Sequence, residues 1–273
     1  VPKSKKGGLT SGVIGKACLS EDKAIPRHRA GAGSGLGLRP SYGFEVGYST
    51  VLLDFDYTLL DSDASSKAAF RQLMAACGFD DSAEHFLAFE VINMALWRQV
   101  EEQVLTPDEV HVSRFELLSP KIGSPLSPQE MADIYSEGMG ANGELYPGAL
   151  DVLDTLASQA SLAMVTNGVG AIQRARVARL DLDQYFEAIV ISGEVGMAKP
   201  GNEIFDITFE RMGGPSKADV LMVGDSLSSD VRGGSSYGID TCWYNPGETA
   251  LSRGVLPTHT ITALEDLSAL VLS

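Results

Sequence analysis

The stretch VLLDFDYTLLDSD, Val51 to Asp63, runs an apolar segment into Asp54 and places a second carboxylate, Asp56, two positions later. Together with the residues before it, YSTVLLDF reads as a strand buried on both faces of a parallel sheet. Side chains two apart in an extended segment face the same way, so both acids are expected on one side of a strand end. Buried charge without compensation is costly, so the pair needs partners or a chemical task.

Outward from this strand, SSKAAFRQLMAACG reads as a helix closed by Gly78, and the following residues are almost purely helical. Two starts are explicit: Thr106-Pro107 with Glu109, and Ser127-Pro128 with Glu130. Each combines a capping box with a proline at the first helical position, where its missing N–H costs nothing. After ELYPG, strands alternate with helices: SLAMVTNG, FEAIVISGEVG, ADVLMVGDS and IDTCWYN are the strands, and ITALEDLSALVL is read as a closing helix. Such alternation predicts an α/β fold, a Rossmann-like and mostly parallel sheet with helices on both faces. The first strand is separated from the rest by the helical block. The expected organisation is a discontinuous core, residues 48–67 and 146–273, with an inserted all-helical cap at 68–145.

Residues 1–47 differ, with eight Lys or Arg against three acids and many Gly and Ser. The glycines of GAGSGLGLRP follow no strand and are closed by Pro40, so the segment is expected to be a disordered extension rather than a nucleotide loop. The net charge of -15 argues against a nucleic-acid partner. Cys18, Cys77 and Cys242 are widely spaced and odd in number, which fits free thiols in a reducing, cytoplasmic setting. No apolar run reaches membrane-spanning length, so no membrane association is expected.

Ligands of open parallel sheets sit at the carboxyl ends of the strands. Here those ends carry Asp54 and Asp56, Thr166, Lys199 (through a loop) and Asp225. Acids converging without Cys or His suggest a hard, oxygen-seeking ion, with Mg²⁺ the natural candidate. Asp230, five after Asp225, is placed to tie down a water or a lysine. A phosphoryl group suits the remainder: Lys199 neutralises charge, and the Thr166 hydroxyl with nearby N–H groups holds oxygens. No Ser–His pair or activated Cys is visible, so the nucleophile is expected to be one of the acids. Asp56 would then protonate the leaving oxygen and later deprotonate water.

The four segments DFDYTLLDSD, VTNG, Lys199-Pro200 and GDSLSSD resemble, in order, the four motifs of the haloacid dehalogenase-like hydrolases. The resemblance spans residues 48–273. It implies Asp54 as nucleophile, Asp56 as general acid and base, Thr166 as phosphate ligand and Lys199 as the residue orienting both. It also implies Mg²⁺ bound by Asp54, the main-chain oxygen of Asp56 and Asp225, with Asp230 in support. Thr58 and Asn167 would support the loop and the phosphoryl group. True dehalogenases lack the second acid of the first motif, because a halide leaving group needs no proton. Asp56 therefore favours an oxygen leaving group. A phosphomutase and a non-catalytic binding protein are the remote alternatives.

The helical block and the core also resemble the bacterial pyrimidine 5'-nucleotidases, through FEVINMALWRQVEEQVLTPDEVHVSRFE and DVLMVGDSLSSDVRGGSSYGIDTCWYNPG. That implies a small phosphorylated substrate such as UMP, dUMP or dTMP; a monomer or homodimer is the separate expectation for assembly. The nearest rivals are an N-acylneuraminate-9-phosphate phosphatase and a broad phosphatase of small metabolites or sugars. Asn93 and Trp97 lie four apart on one helix face and are candidates to read and stack on a base. Trp97 is read equally as cap packing, and Arg114 equally as a substrate contact or a surface partner of Glu109 or Glu116. Phe89, Met74, Met94 and Met164 are expected in cores, Tyr57 packed under its loop, Lys121 exposed and Trp243 structural.

Overall fold

A computed structural model describes residues 47–251 and 254–272. The expected extension therefore lies outside the described residues, apart from Gly47. Strand β1 (Thr50–Leu53) is fully buried, and it alternates its side chains between two cores. Val51 and Leu53 face a cluster with Phe55, Met164 and Leu221, while Leu52 faces one with Val165, Phe205 and Met222. This two-sided burial is why the segment reads as continuously apolar.

Four helices follow: α1 (Ser62–Ala76), α2 (Ala83–Glu101), α3 (Pro107–Ile122) and α4 (Pro128–Ala141). Asp61 caps α1 by accepting from the N–H of Ala64 at 3.0 Å, so the helix starts before the SSKAAF segment. Both capping boxes form, with Thr106 and Ser127 exchanging hydrogen bonds with Glu109 and Glu130. The four helices bury a core of their own, in which Phe89 packs against Phe70, Phe115 and Tyr135 at centroid distances of 5.1, 5.8 and 5.0 Å. The segments entering and leaving this block are paired: Leu60 bridges Leu145, and the N–H of Asp61 donates to Glu144 at 2.9 Å.

The remainder alternates: α5 (Ala149–Ala157), β2 (Ser161–Thr166), α6 (Gly170–Arg179), β3 (Ala188–Ile191), α7 (Ser192–Val195), α8 (Asn202–Arg211), β4 (Val220–Gly224), α9 (Arg232–Tyr237), β5 (Asp240–Tyr244), β6 (His259–Ile261) and α10 (Asp266–Leu272). The sheet is parallel throughout, in the order β3-β2-β1-β4-β5-β6. Leu53, the last residue of β1, is in register with Met164 on one side and Val223 on the other, so β2 and β4 run two residues and one residue further. Strand order reverses between β1 and β4, the crevice where such sheets hold ligands.

Two segments depart from the sequence reading. The first residue of ITALEDLSALVL completes β6, a three-residue edge strand on β5, and helix α10 begins only at Asp266. After β3 the chain forms the short α7, where a loop was expected, and Gly196 ends it with φ 72°. Cys77 and Cys242 are buried free thiols, as expected, and Cys18 lies outside the described residues. Among the described residues, no helix is long and apolar enough to cross a membrane.

Candidate active site

Asp54 leaves β1 with its N–H bonded to the carbonyl of Val223 at 2.9 Å, which holds it against the end of β4. The Lys199 amine, 1 % exposed, lies 2.7 Å from Asp54 Oδ1 and 2.7 Å from Asp230 Oδ1, and donates to the Val165 carbonyl. Asp230 reaches back from the turn after β4, where its Oδ2 accepts the N–H of Ser226 at 3.0 Å. Gly224 permits that approach, because a Cβ there would stand 2.1 Å from Asp230 Oδ2. Asp225 is fixed through its backbone: its N–H donates to Thr58 Oγ1 at 3.1 Å, and its carbonyl accepts from the indole of Trp243 at 2.8 Å.

Asp54, Asp225 and Asp230 each bring a carboxylate oxygen within 4.8 Å of the others. Burial pushes the Asp54 carboxyl up to about 7; Lys199 opposes the shift and Asp230 adds to it. Burial, then Asp230 and Asp54, raise Asp225 well above the usual carboxylate range. Burial disfavours the charged form of Lys199, yet Asp230 and Asp54 outweigh it and hold its pKa above the ordinary value. One buried cation thus serves three acids. A donor set of oxygens alone with excess negative charge fits a hard dication such as Mg²⁺.

The second acid of the motif faces elsewhere. Asp56 Oδ1 accepts from Ser62 Oγ at 2.5 Å and from Arg176 Nη1 at 2.8 Å, and its Oδ2 accepts from Gln173 Nε2 at 2.6 Å. Its side chain stands outside the three-carboxylate cluster. Thr166 is fully buried, with its hydroxyl accepting from Gln173 Nε2 at 2.8 Å. Asn167 is locked to Lys199 by reciprocal hydrogen bonds, Nδ2 to the lysine carbonyl at 2.8 Å and the lysine N–H to Oδ1 at 2.9 Å.

A cavity of about 320 Å³ joins these groups to the helical block. Asp54, Asp56, Lys199, Asp225 and Asn167 line it from the sheet side, and Asn93, Trp97 and Arg114 from the helices. Thr58, Thr166 and Asp230 are absent from its lining and stand behind it.

Residues 51–244 match the model of the haloacid dehalogenase-like hydrolase family. The chain belongs to that family. It is 32 % identical over 221 residues to the pyrimidine 5'-nucleotidase YjjG of Escherichia coli K12, covering 81 % of this chain and 96 % of the relative. It is 34 % identical to the pyrimidine 5'-nucleotidase PynA of Streptococcus pneumoniae, over 81 % of this chain and 93 % of that one. The magnesium-bound structure of YfnB from Bacillus subtilis, a putative HAD-hydrolase, superposes with a TM-score of 0.76 at 34 % identity, covering 82 % of this chain and 99 % of that one.

Other residues of this hydrolase stand where the sequence did not point. Arg114 is 2 % exposed, so it is no surface partner of Glu109 or Glu116. Its guanidinium lies 4.5 Å from the centroid of Tyr135, and Nη1 donates to Asn93 Oδ1 at 3.3 Å. Met94, expected in a core, is 67 % exposed beside the cavity, whereas Met74, Met164 and Phe89 are buried as expected. Tyr57 does not pack under its loop: its φ of 61° turns it to the cavity, and its hydroxyl donates to Asp63 at 3.1 Å.

Gln173 and Arg176 escaped the sequence reading altogether. They sit in a polar, Arg-rich helix, GAIQRARVAR, that looks solvent-facing, yet both are 1 % exposed. The available signal was their spacing of three, which puts them on one helix face directly after VTNG.

Proposed function

We propose that this hydrolase is a Mg²⁺-dependent phosphomonoesterase for pyrimidine nucleoside 5'-monophosphates, UMP, dUMP and dTMP foremost, working in the cytoplasm. The observation that carries this reading is the pairing of Asp54 with buried Lys199 beside two further acids, at the floor of a cavity that also holds Asp56. Mg²⁺ would be held by Asp54, Asp225 and the main-chain oxygen of Asp56, with Asp230 in support, and would neutralise charge on the phosphoryl oxygens.

Asp54 attacks phosphorus, forming an acyl-phosphate bond as the bond to the 5'-oxygen breaks. Asp56 gives that oxygen a proton and then takes one from the water that hydrolyses the aspartyl phosphate, returning both acids to their starting state. Lys199 meets the charge of the phosphoryl group, Thr166 supports the site from behind through its bond to Gln173, and Asn167 keeps the Lys199 backbone in place. The helical block, taken as a cap over residues 68–145, excludes water during the reaction. In it, Trp97 stacks on the base while Asn93 and Arg114 meet its polar edge.

The direct test is a panel of nucleoside monophosphates, N-acylneuraminate 9-phosphate and sugar phosphates at matched concentration with Mg²⁺. UMP, dUMP and dTMP should lead and purine nucleotides should be poor. A flat profile would replace the nucleotide reading with a broad one.

A further inference from the structure

Helix α6 carries an arginine, Arg176, that lines the cavity together with Gln173. Arg176 spans two elements: Nη1 donates to Asp56 Oδ1 at 2.8 Å, and Nε donates to the Met139 carbonyl of α4 at 2.9 Å. Nη1 also donates to Gln173 Oε1 at 3.3 Å, while Gln173 Nε2 holds the other Asp56 oxygen at 2.6 Å. Both oxygens of Asp56 are thereby fixed by donors that are themselves anchored and buried. A planar guanidinium holding two acceptors in a fixed fork sets direction as well as distance, which a point charge cannot do.

We propose that Arg176 is the positioning residue of Asp56, holding its carboxylate in the orientation from which it serves the leaving oxygen, with the α4 end as its fixed point. This rests on Asp56 being the proton-transfer group proposed above. A group acting on proton delivery matters most when the leaving oxygen is a poor one, and loss of its alignment forfeits part of the general-acid contribution.

The competing role is a plain strut between α6 and α4, and the molecule contains a control for it. Arg179, one turn on, donates to the Gly140 carbonyl at 3.2 Å and to the Gly143 carbonyl, and lies 4.0 Å from the Glu144 carboxylate, all on the end of α4 and the segment that leaves it. The experiment compares kcat and KM on UMP and p-nitrophenyl phosphate for R176Q, R176K, R179Q and D56N, with Tm for each. R176Q should lose about tenfold or more in kcat on UMP with little change in KM, and less than about threefold on p-nitrophenyl phosphate. R176K should recover part of the UMP rate, and R179Q should lower Tm without separating the two substrates.

Equal losses on both substrates in R176Q, or the same bias in R179Q, would overturn the positioning role. If R176Q does not fold, R176K decides: a larger loss on UMP supports the role and an equal loss overturns it. Bias in D56N without bias in the Arg176 variants removes Arg176 alone, whereas no bias in D56N removes the assigned role of Asp56 and the proposal with it.

Discussion

Asp54 and Asp56 lie two residues apart, yet each carboxylate meets its own buried cation, Lys199 at 2.7 Å and Arg176 at 2.8 Å. The division follows from the chain path. Asp54 is the last residue held in line with the sheet, whereas Asp56 forms a bridge with Leu60 at the turn, ahead of α1. Two acids that would repel each other in one site are thus separated into two charge environments.

Lys199 is the sole buried amine found between Asp54 and Asp230 among the described residues, so its removal should be felt twice. Lys199→Met keeps volume but leaves two buried carboxylates without their cation. We expect a loss of stability of about 3–5 kcal/mol at neutral pH and loss of phosphatase activity. Urea denaturation and phosphate release measure the two effects, and unchanged stability would contradict the charge accounting.

Metal removal should expose the same excess of negative charge. In EDTA the folded protein keeps a proton on Asp54 up to about pH 7, and Asp225 is shifted the same way, while the unfolded chain releases these protons near the ordinary aspartate value of 3.8. The folded state then binds more protons in this window, so stability should fall as pH rises from about 4 through 7. Mg²⁺ should raise Tm more at pH 8 than at pH 5, because it binds the ionised carboxylates. A Mg²⁺ effect equal at both pH values would count against these ligands.

Gly224 should resist substitution although it is not in the cavity. A Cβ at this position would overlap the Asp230 carboxylate, at 2.1 Å from Oδ2 and 2.3 Å from Cγ. Gly224→Ala should cost about 1–3 kcal/mol and displace Asp230 from Lys199. Full stability and activity in that variant would show that the turn after β4 yields freely.

Much of this site was legible because strand ends in a parallel sheet are marked by the change from apolar to polar residues. Asp54, Asp56, Thr166 and Asp225 all sit at such changes, and the two capping boxes are local enough to read from four residues each. Arg176 and Gln173 were hidden by the rule that exposes polar helix faces: their burial depends on α4 and Asp56, which are distant in sequence. The left-handed backbone at Tyr57 is unusual for a residue with a side chain, and it turns the ring to the cavity instead of under its loop. Strand β6 has three residues and one neighbour, too little pattern to separate it from the helix that follows.

The most direct test of the account is phosphate release from UMP with Mg²⁺, measured for the parent and for Asp54→Asn at matched folding by circular dichroism. The parent should turn over, and the variant should lose at least about 10³-fold in kcat with its fold intact, since the attacking oxygen is gone. Equal turnover by parent and variant would contradict Asp54 as the nucleophile.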